Sequence, residues 1–471
     1  MERWSELEQT AADLLQQYQV PGCIIAIAKH GEIVYEKSFG YRDVANKKQI
    51  NADTVFGLAS LTKSFTCAAI MKLVEKGKVA LTDSVVDYLP ELQIKELEKL
   101  PKMTIAHFMT HASGLPPLPS IDFAMVRKLN QVLDTDYGDI PLKKDQLQTY
   151  EELLAFIGNK NVDLVSHPGK LFSYSNDAYA LLGAIIERVT GIAYEDYVIK
   201  EIIKPCGMSQ THFLIEDYGD YNNVTTCYEW NETTDEIYAV EDWWDAPPMR
   251  ATGFLKSTVR DMMRYAQLYM NQGKVDNQNI LSKESIEAML TPHIKMDPEK
   301  MYGYGFSVTE DYHGTMMIDH GGSLQSISSK FAILPDEGVS AIVLTNLADF
   351  PAGRLLLMAL NVYYGRSLDA DHLGFEAIEL SPEIFASYAG EYISDEGMDC
   401  VLRFSDKGDF EFFYRGRSYP ITFVQENVFT AWIDGTAEPV ELLKDAQGNV
   451  FALSIYHRVI PKIGVTGKLN E

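Results

Sequence analysis

The sequence predicts an α+β protein in which helices flank an antiparallel sheet and a small antiparallel β-barrel follows. Three observations carry that expectation. Near the N-terminus, Cys23 to Lys29 and Ile33 to Ser38 read as two strands around His30-Gly31, a hairpin. Much later, Ile327 to Leu334 and Ser340 to Thr345 form a second antiparallel pair turning at Pro335-Asp336, and apolar Arg354 to Tyr364 can pack back on that sheet as a helix. Beyond about Ser381 the texture changes to short alternating segments at close, regular spacing, the pattern of a closed or nearly closed barrel. At 471 residues the chain exceeds the size at which single cores stop growing. One large domain over residues 1–370 and a smaller one over 378–471 are therefore expected, with the boundary between Ser367 and Ser381.

In chain order, Trp4, Leu7, Ala11, Leu14, Leu15 and Tyr18 make one stripe of an N-terminal helix, ended by Pro21-Gly22. Phe65, Ala68, Ala69, Leu73 and Val74 recur at helical steps from Ser60 until Gly77. Thr104 to Met109 and Glu151 to Ile157 read as short helices, and the polar, Pro-containing stretch from Pro116 to about Gln148 reads as an insertion able to line a site. Tyr179, Leu182, Ile186 and Val189 mark a strong helix closed by Gly191, and another is expected from about Val259 to Met270. Tyr302 to Phe306 looks like the start of a strand, and His320-Gly321-Gly322 is read as preceding one. The barrel segments are Val401 to Phe404, Phe410 to Phe413, Pro420 to Val424, Val428 to Trp432, Val440 to Leu443 and Phe451 to Tyr456.

A net charge of −26 argues against nucleic acid, which needs a basic patch. Five scattered cysteines with no C-x-x-C pair indicate neither a zinc ribbon nor a disulfide framework, and Cys23 and Cys67 read as buried free thiols. The N-terminus lacks the basic start and apolar core of a signal peptide, and no apolar run reaches membrane-spanning length, so a cytoplasmic home is expected. No metal is expected, since H-E-x-x-H or similar ligand spacing is missing, and no cofactor is expected; the G-x-S-x-G elbow of α/β-hydrolases is missing too.

Chemistry concentrates first at Ser60-Leu61-Thr62-Lys63. A serine at the mouth of a helix sits where free backbone N–H groups and the positive dipole end favour a developing anion. Lys63, one turn on, projects from the same face, and a partly buried lysine of lowered pKa can take the hydroxyl proton. The plainer reading makes Ser60 an N-cap and Lys63 a solvated residue. Ser60 and Lys63 form the only S-x-x-K in the chain. Two further signals follow in order: Tyr174-Ser175-Asn176, after a Pro-Gly turn and before an apolar helix, and His320-Gly321-Gly322, whose glycines let backbone approach a ligand.

Together with Thr104 to Leu115, Pro168 to Gly183 and Gly338 to Asn346, this ordered triplet resembles the serine β-lactamase and penicillin-binding-protein superfamily, in its class C and D-aminopeptidase-like branch, over residues 5–365. The C-terminal part is similar to the lipocalin-like domains appended to some members. The resemblance implies the β-lactamase/transpeptidase-like fold with an all-helical subdomain. It implies Ser60 as a nucleophile forming an acyl-enzyme and Lys63 as the group taking or relaying its proton. Tyr174 would share that base duty and protonate the leaving group, and Asn176 would hydrogen-bond the substrate amide. Gly322 belongs to the third motif, and the backbone N–H groups of Ser60 and Ser323 would form the oxyanion hole. His320 stands where many members have lysine, so it would hold a substrate carboxylate with full charge only when protonated. His107 and His111 are read as packing or capping residues; Asp83, His167 and Trp243-Trp244 either line the site or pack.

The expected function is that of a serine hydrolase acting on a small amide or ester, with a small-molecule or short-peptide substrate. A β-lactamase shares the machinery, and a non-hydrolytic binding or scaffold homologue is the contrasting class. Whether the chain forms a homo-oligomer is left open.

Overall fold

A computed structural model describes residues 2–125, 147–231, 234–240, 242–370, 376–405, 407–433 and 436–465. Most of the insertion expected between Pro116 and Gln148 lies outside them; its described start forms a short helix, Ser120–Ala124.

Eight strands build the larger sheet: β1 (Gly22–Lys29), β2 (Glu32–Gly40), β3 (Ile294–Lys295), β4 (Met301–Tyr302), β5 (Ser307–Tyr312), β6 (Thr315–Leu324), β7 (Ile327–Leu334) and β8 (Val339–Thr345). Their spatial order is β2-β1-β8-β7-β6-β5-β4-β3, each pairing antiparallel, so the two hairpins expected from sequence join through β1 and β8. Strand β1 shows why the sheet is covered on both faces. Ile24, Ala26 and Ala28 enter one apolar core while Cys23, Ile25 and Ile27 enter another, the period-2 alternation of a central strand. The second core is closed by α1 (Glu2–Gln17), through Leu7, Ala11, Leu14 and Leu15, and by the helix Ala352–Tyr363. The first core lies against α2 (Thr62–Glu75), α3 (Asn176–Thr190) and α4 (Val259–Met270).

Two local readings need correction. The chain does not enter a helix at Ser60: residues Ala59–Leu61 form a 3-10 turn and the α-helix starts at Thr62. His320-Gly321-Gly322 lies inside strand β6 rather than ahead of it. The glycines there do not break the strand, because flanking residues on both sides pair with β7.

The C-terminal strands are Gly390–Tyr392, Cys400–Phe404, Phe410–Tyr414, Arg417–Gln425, Val428–Ile433, Thr436–Lys444, Val450–Ile455 and Arg458–Pro461, paired in sequence order. The first and last meet through a bridge between Tyr392 and Lys462, giving a nearly closed antiparallel barrel around Phe412, Phe429, Leu442 and Leu453. Six of the eight were expected; the outermost two are too short to show alternation. Barrel residues Phe451, Ala452 and Val459 share an apolar cluster with Val165, with Leu171 packed against it, so the barrel is seated on the segment leading to Tyr174. All five cysteines are free and buried, and among the described residues no helix is long and apolar enough to cross a membrane.

Candidate active site

The turn carrying Ser60 is wedged between the helices and the sheet. Ala59 adopts a left-handed backbone, φ 47°, although it has a Cβ, a strained conformation that places Ser60 at the bend. Leu61, not Ser60, occupies the cap position of α2, and no side chain caps it, so the Ser60 hydroxyl is not a capping group. Lys63 is fully buried. Its Nζ donates to Ser60 Oγ at 3.3 Å, to Asn176 Oδ1 at 2.9 Å and to the Thr252 carbonyl at 2.7 Å, three neutral acceptors. Burial, and then the nearby Arg458 guanidinium, hold the Lys63 ammonium well below the ordinary lysine range. The solvated-lysine reading is thereby excluded.

Tyr174 and Asn176 arrive together because Ser175 between them caps α3, accepting from Ala178 N at 3.1 Å. Asn176 therefore opens the helix beside Lys63. Its oxygen is engaged by the ammonium, which turns the amide NH2 away from Lys63. The Tyr174 ring lies 4.8 Å from Lys63 Nζ. Burial pushes its phenol up to about 12, with the Ser60 hydroxyl and Arg458 pulling the other way. The phenol is thus neutral at neutral pH and able to pass a proton.

His111 stacks on Tyr174 with ring centroids 4.1 Å apart, and its Nδ1 accepts from Ser175 N at 3.0 Å. That bond leaves the ring proton on Nε2, and burial depresses the imidazole well below its ordinary range. His111 is a shelf for Tyr174, in keeping with a packing role. His320 is nearly as deeply buried; its Nδ1 meets the Gly321 carbonyl and its Nε2 lies 3.1 Å from Tyr302 Oη. Donation from Nδ1 to the carbonyl leaves Nε2 to accept from the phenol. Burial, reinforced by Lys63, lowers His320 to about 3, so the imidazole is neutral across the physiological range. An imidazolium gripping a carboxylate is not what this environment favours.

Backbone parity fixes which way Ser323 faces. Ser307 Oγ donates to the Asp319 carbonyl at 2.8 Å, which puts the polar backbone of residues 319, 321 and 323 on the β5 edge of β6. The partner strand agrees: Ser328, opposite Ser323, gives its N–H to Thr345 Oγ1 on the far side. Pairing of β6 with β5 ends at Asp319, so among the described residues no strand covers the Ser323 N–H. Gly322 explains how that edge comes so near Ser60. A Cβ there would stand 2.5 Å from the Leu58 carbonyl and 3.0 Å from Ala59 Cβ.

Three contributors carried no local signal in the sequence: the Thr252 carbonyl, the His457 carbonyl, which accepts from Tyr174 N at 2.8 Å, and Arg458. The last two come from the barrel, and only the folded chain brings them to the site.

A β-lactamase family model matches residues 7–360. Protein flp of Staphylococcus aureus (strain NCTC 8325 / PS 47) is 27% identical over 334 residues, 71% of this chain, so the match spans 61% of that relative's length. Penicillin-binding protein 4* of Bacillus subtilis (strain 168) is 25% identical over 81% of each chain. Among solved structures, an octameric penicillin-binding protein homologue from Pyrococcus abyssi superposes with a TM-score of 0.68 at 28% identity, covering 97% of this chain and 99% of its own. SurE bound to D-Leu superposes with a TM-score of 0.70 over 98% of this chain and 100% of its own, and at 17% identity that likeness speaks to the fold.

Proposed function

Since the chain belongs to the β-lactamase family, we propose that it is a serine hydrolase cleaving a small amide or ester through an acyl-enzyme on Ser60. The observation that carries this reading is the buried Lys63 ammonium, 3.3 Å from the Ser60 hydroxyl and, among the described residues, bonded only to neutral acceptors. Such a lysine sheds its proton readily and, once neutral, is a base. Ser60 Oγ bonds to the substrate carbonyl carbon as its proton passes to Lys63. The developing oxyanion is received by the N–H groups of Ser60 and Ser323. Tyr174 relays a proton to the departing amine or alcohol, and Asn176 Nδ2 orients the substrate amide. Water then attacks the ester carbonyl, releasing the acid and restoring Ser60.

A neutral His320 supports uncharged esters and amides, D-amino-acid derivatives among them, over carboxylated lactams. The full-length likeness to an octameric homologue supports a homo-oligomer. A fluorophosphonate or fluorescent penicillin, followed by peptide mapping, tests the reading: the adduct should sit on Ser60 and vanish in Ser60→Ala. An adduct on Ser113, Ser175 or Ser323, or none at all, overturns it.

A further inference from the structure

The C-terminal barrel reaches Tyr174 through a tight hairpin. Tyr456 and His457 join its last two strands with φ of 48° and 65°, a two-residue left-handed turn made without glycine. The tip is held at the site: the His457 carbonyl accepts from Tyr174 N, and the Arg458 guanidinium lies 5.0 Å from the centre of the Tyr174 ring. Arg458 is in turn ion-paired through Nε with Glu396, another barrel residue, and its Nη1 donates to the Tyr456 carbonyl at 3.2 Å. Both side chains of the pair are largely buried, at 20% and 14% exposure. Tyr174 thus has a cation near its ring from the hydrolase domain, Lys63, and another from the barrel.

Resting on the hydrolase reading above, we infer that Arg458 and Glu396 are positioning residues of the hydrolytic site, which the barrel supplies to hold Tyr174 and to set the charge around the Lys63–Tyr174 proton relay. The other titratable neighbours do not supply that charge. His111 and His320 are held neutral by burial, and Tyr179 and Tyr302 are buried phenols raised well above their ordinary range. His457 is lowered to about 4, and Cys67, on Lys63's own helix, is pushed up to about 12. Among the described residues that leaves Arg458, which disfavours the Lys63 ammonium, and Glu396, which favours it. The pair therefore sets opposed biases on the same base.

The opposition makes the test specific. Acylation needs neutral Lys63, so its rate rises through an acid limb whose midpoint follows that lysine. Arg458→Gln removes a cation and leaves Glu396 uncompensated, so the limb should move to higher pH by about half a unit to one unit. Glu396→Gln should move it to lower pH by a similar amount, and the double variant should return towards wild type. Arg458→Lys should keep the midpoint near wild type. Full-length proteins would be labelled with a fluorophosphonate across pH 5–10, with thermal melts run in parallel. If Arg458→Gln does not fold, Glu396→Gln still reads the sign, with Arg458→Lys as the charge-conserving control. Midpoints unchanged in whichever of the two single Gln variants fold, whatever their rates, would overturn the inference and leave the hairpin as packing. An unlabelled wild type would instead overturn the hydrolase reading, and this inference with it.

Discussion

Lys63 Nζ and Asn176 Oδ1 lie 2.9 Å apart although the two residues are separated by 113 positions in the chain. The contact ties α2 to α3 and does so with a neutral acceptor, so the lysine is held in place without being held in charge. Asn176→Asp alters that one property. A carboxylate at this distance stabilises the ammonium, raising the Lys63 pKa by about one to three units. The acid limb of the acylation profile should move up by as much, so that activity lost near the wild-type midpoint is recovered at higher pH. An unshifted limb in a folded Asn176→Asp protein would show that Lys63 is not the group titrating.

Lys63 also writes its state into stability. Folded, it is held well below its ordinary range, whereas in the unfolded chain it titrates near 10.4. Between those values the unfolded chain binds the additional proton, so stability rises with pH through that window. Lys63→Met removes the dependence along with the activity. The melting temperature of the variant relative to wild type should therefore fall as pH rises towards the unfolded lysine value near 10.4. Lys63→Arg keeps a cation that cannot give up its proton and should be inactive at every pH.

Gly322→Ala tests the approach of β6 to Ser60. The added methyl would meet Ser329 Oγ at 2.3 Å as well as backbone of Leu58, so β6 or the Ser60 turn must shift. A displacement near 1 Å costs about a hundredfold in rate. Stability should fall by about 1–3 kcal/mol, as for other overpacked sites. The informative comparison is Gly321→Ala, where a Cβ meets nothing nearer than 3.9 Å. It should retain most of the rate; equal losses at both positions would argue against the packing explanation.

What could be read in advance follows the range of the interactions. Ser60 and Lys63 were legible because one helical turn links them, and Tyr174 and Asn176 because a Pro-Gly turn and an apolar helix frame them. The 3-10 turn was not, since Ala59 takes a left-handed backbone that its residue type gives no reason to expect; tertiary packing imposes it. Gly321-Gly322 looked like the lead-in to a strand, whereas Gly322 is there for the contact with Leu58 and Ala59, two distant residues. Arg458 was hidden for the same reason. It sits in a four-residue barrel strand, and nothing nearby in the chain marks it as facing Tyr174. The state of His320 lay between these cases: its place in the ordered triplet was visible, its burial was not.

That burial sets the last prediction. With its ordinary value near 6.5, an exposed histidine would change charge across the neutral range, and binding of carboxylated substrates would weaken as pH rose through it. Here His320 is lowered to about 3, with Nδ1 on the Gly321 carbonyl and Nε2 on Tyr302. From pH 5 to 8 the affinity for a carboxylated lactam, and for a neutral ester, should show no midpoint belonging to this residue. Stability carries the complementary sign. Below 6.5 the unfolded chain protonates this histidine while the folded one does not, so stability falls as pH drops from 6.5 towards 3, and His320→Asn should lessen that fall. His320→Lys brings an amine of much higher intrinsic basicity than imidazole to the same position in β6. It should improve the affinity for carboxylated lactams over neutral esters by about tenfold, the range of a partly screened charge pair. It should also depress Lys63 further by like-charge repulsion, moving the acid limb of acylation downwards. Efficient wild-type hydrolysis of penicillins at pH 8, with no preference for neutral esters, would show that a charge other than His320 receives the carboxylate.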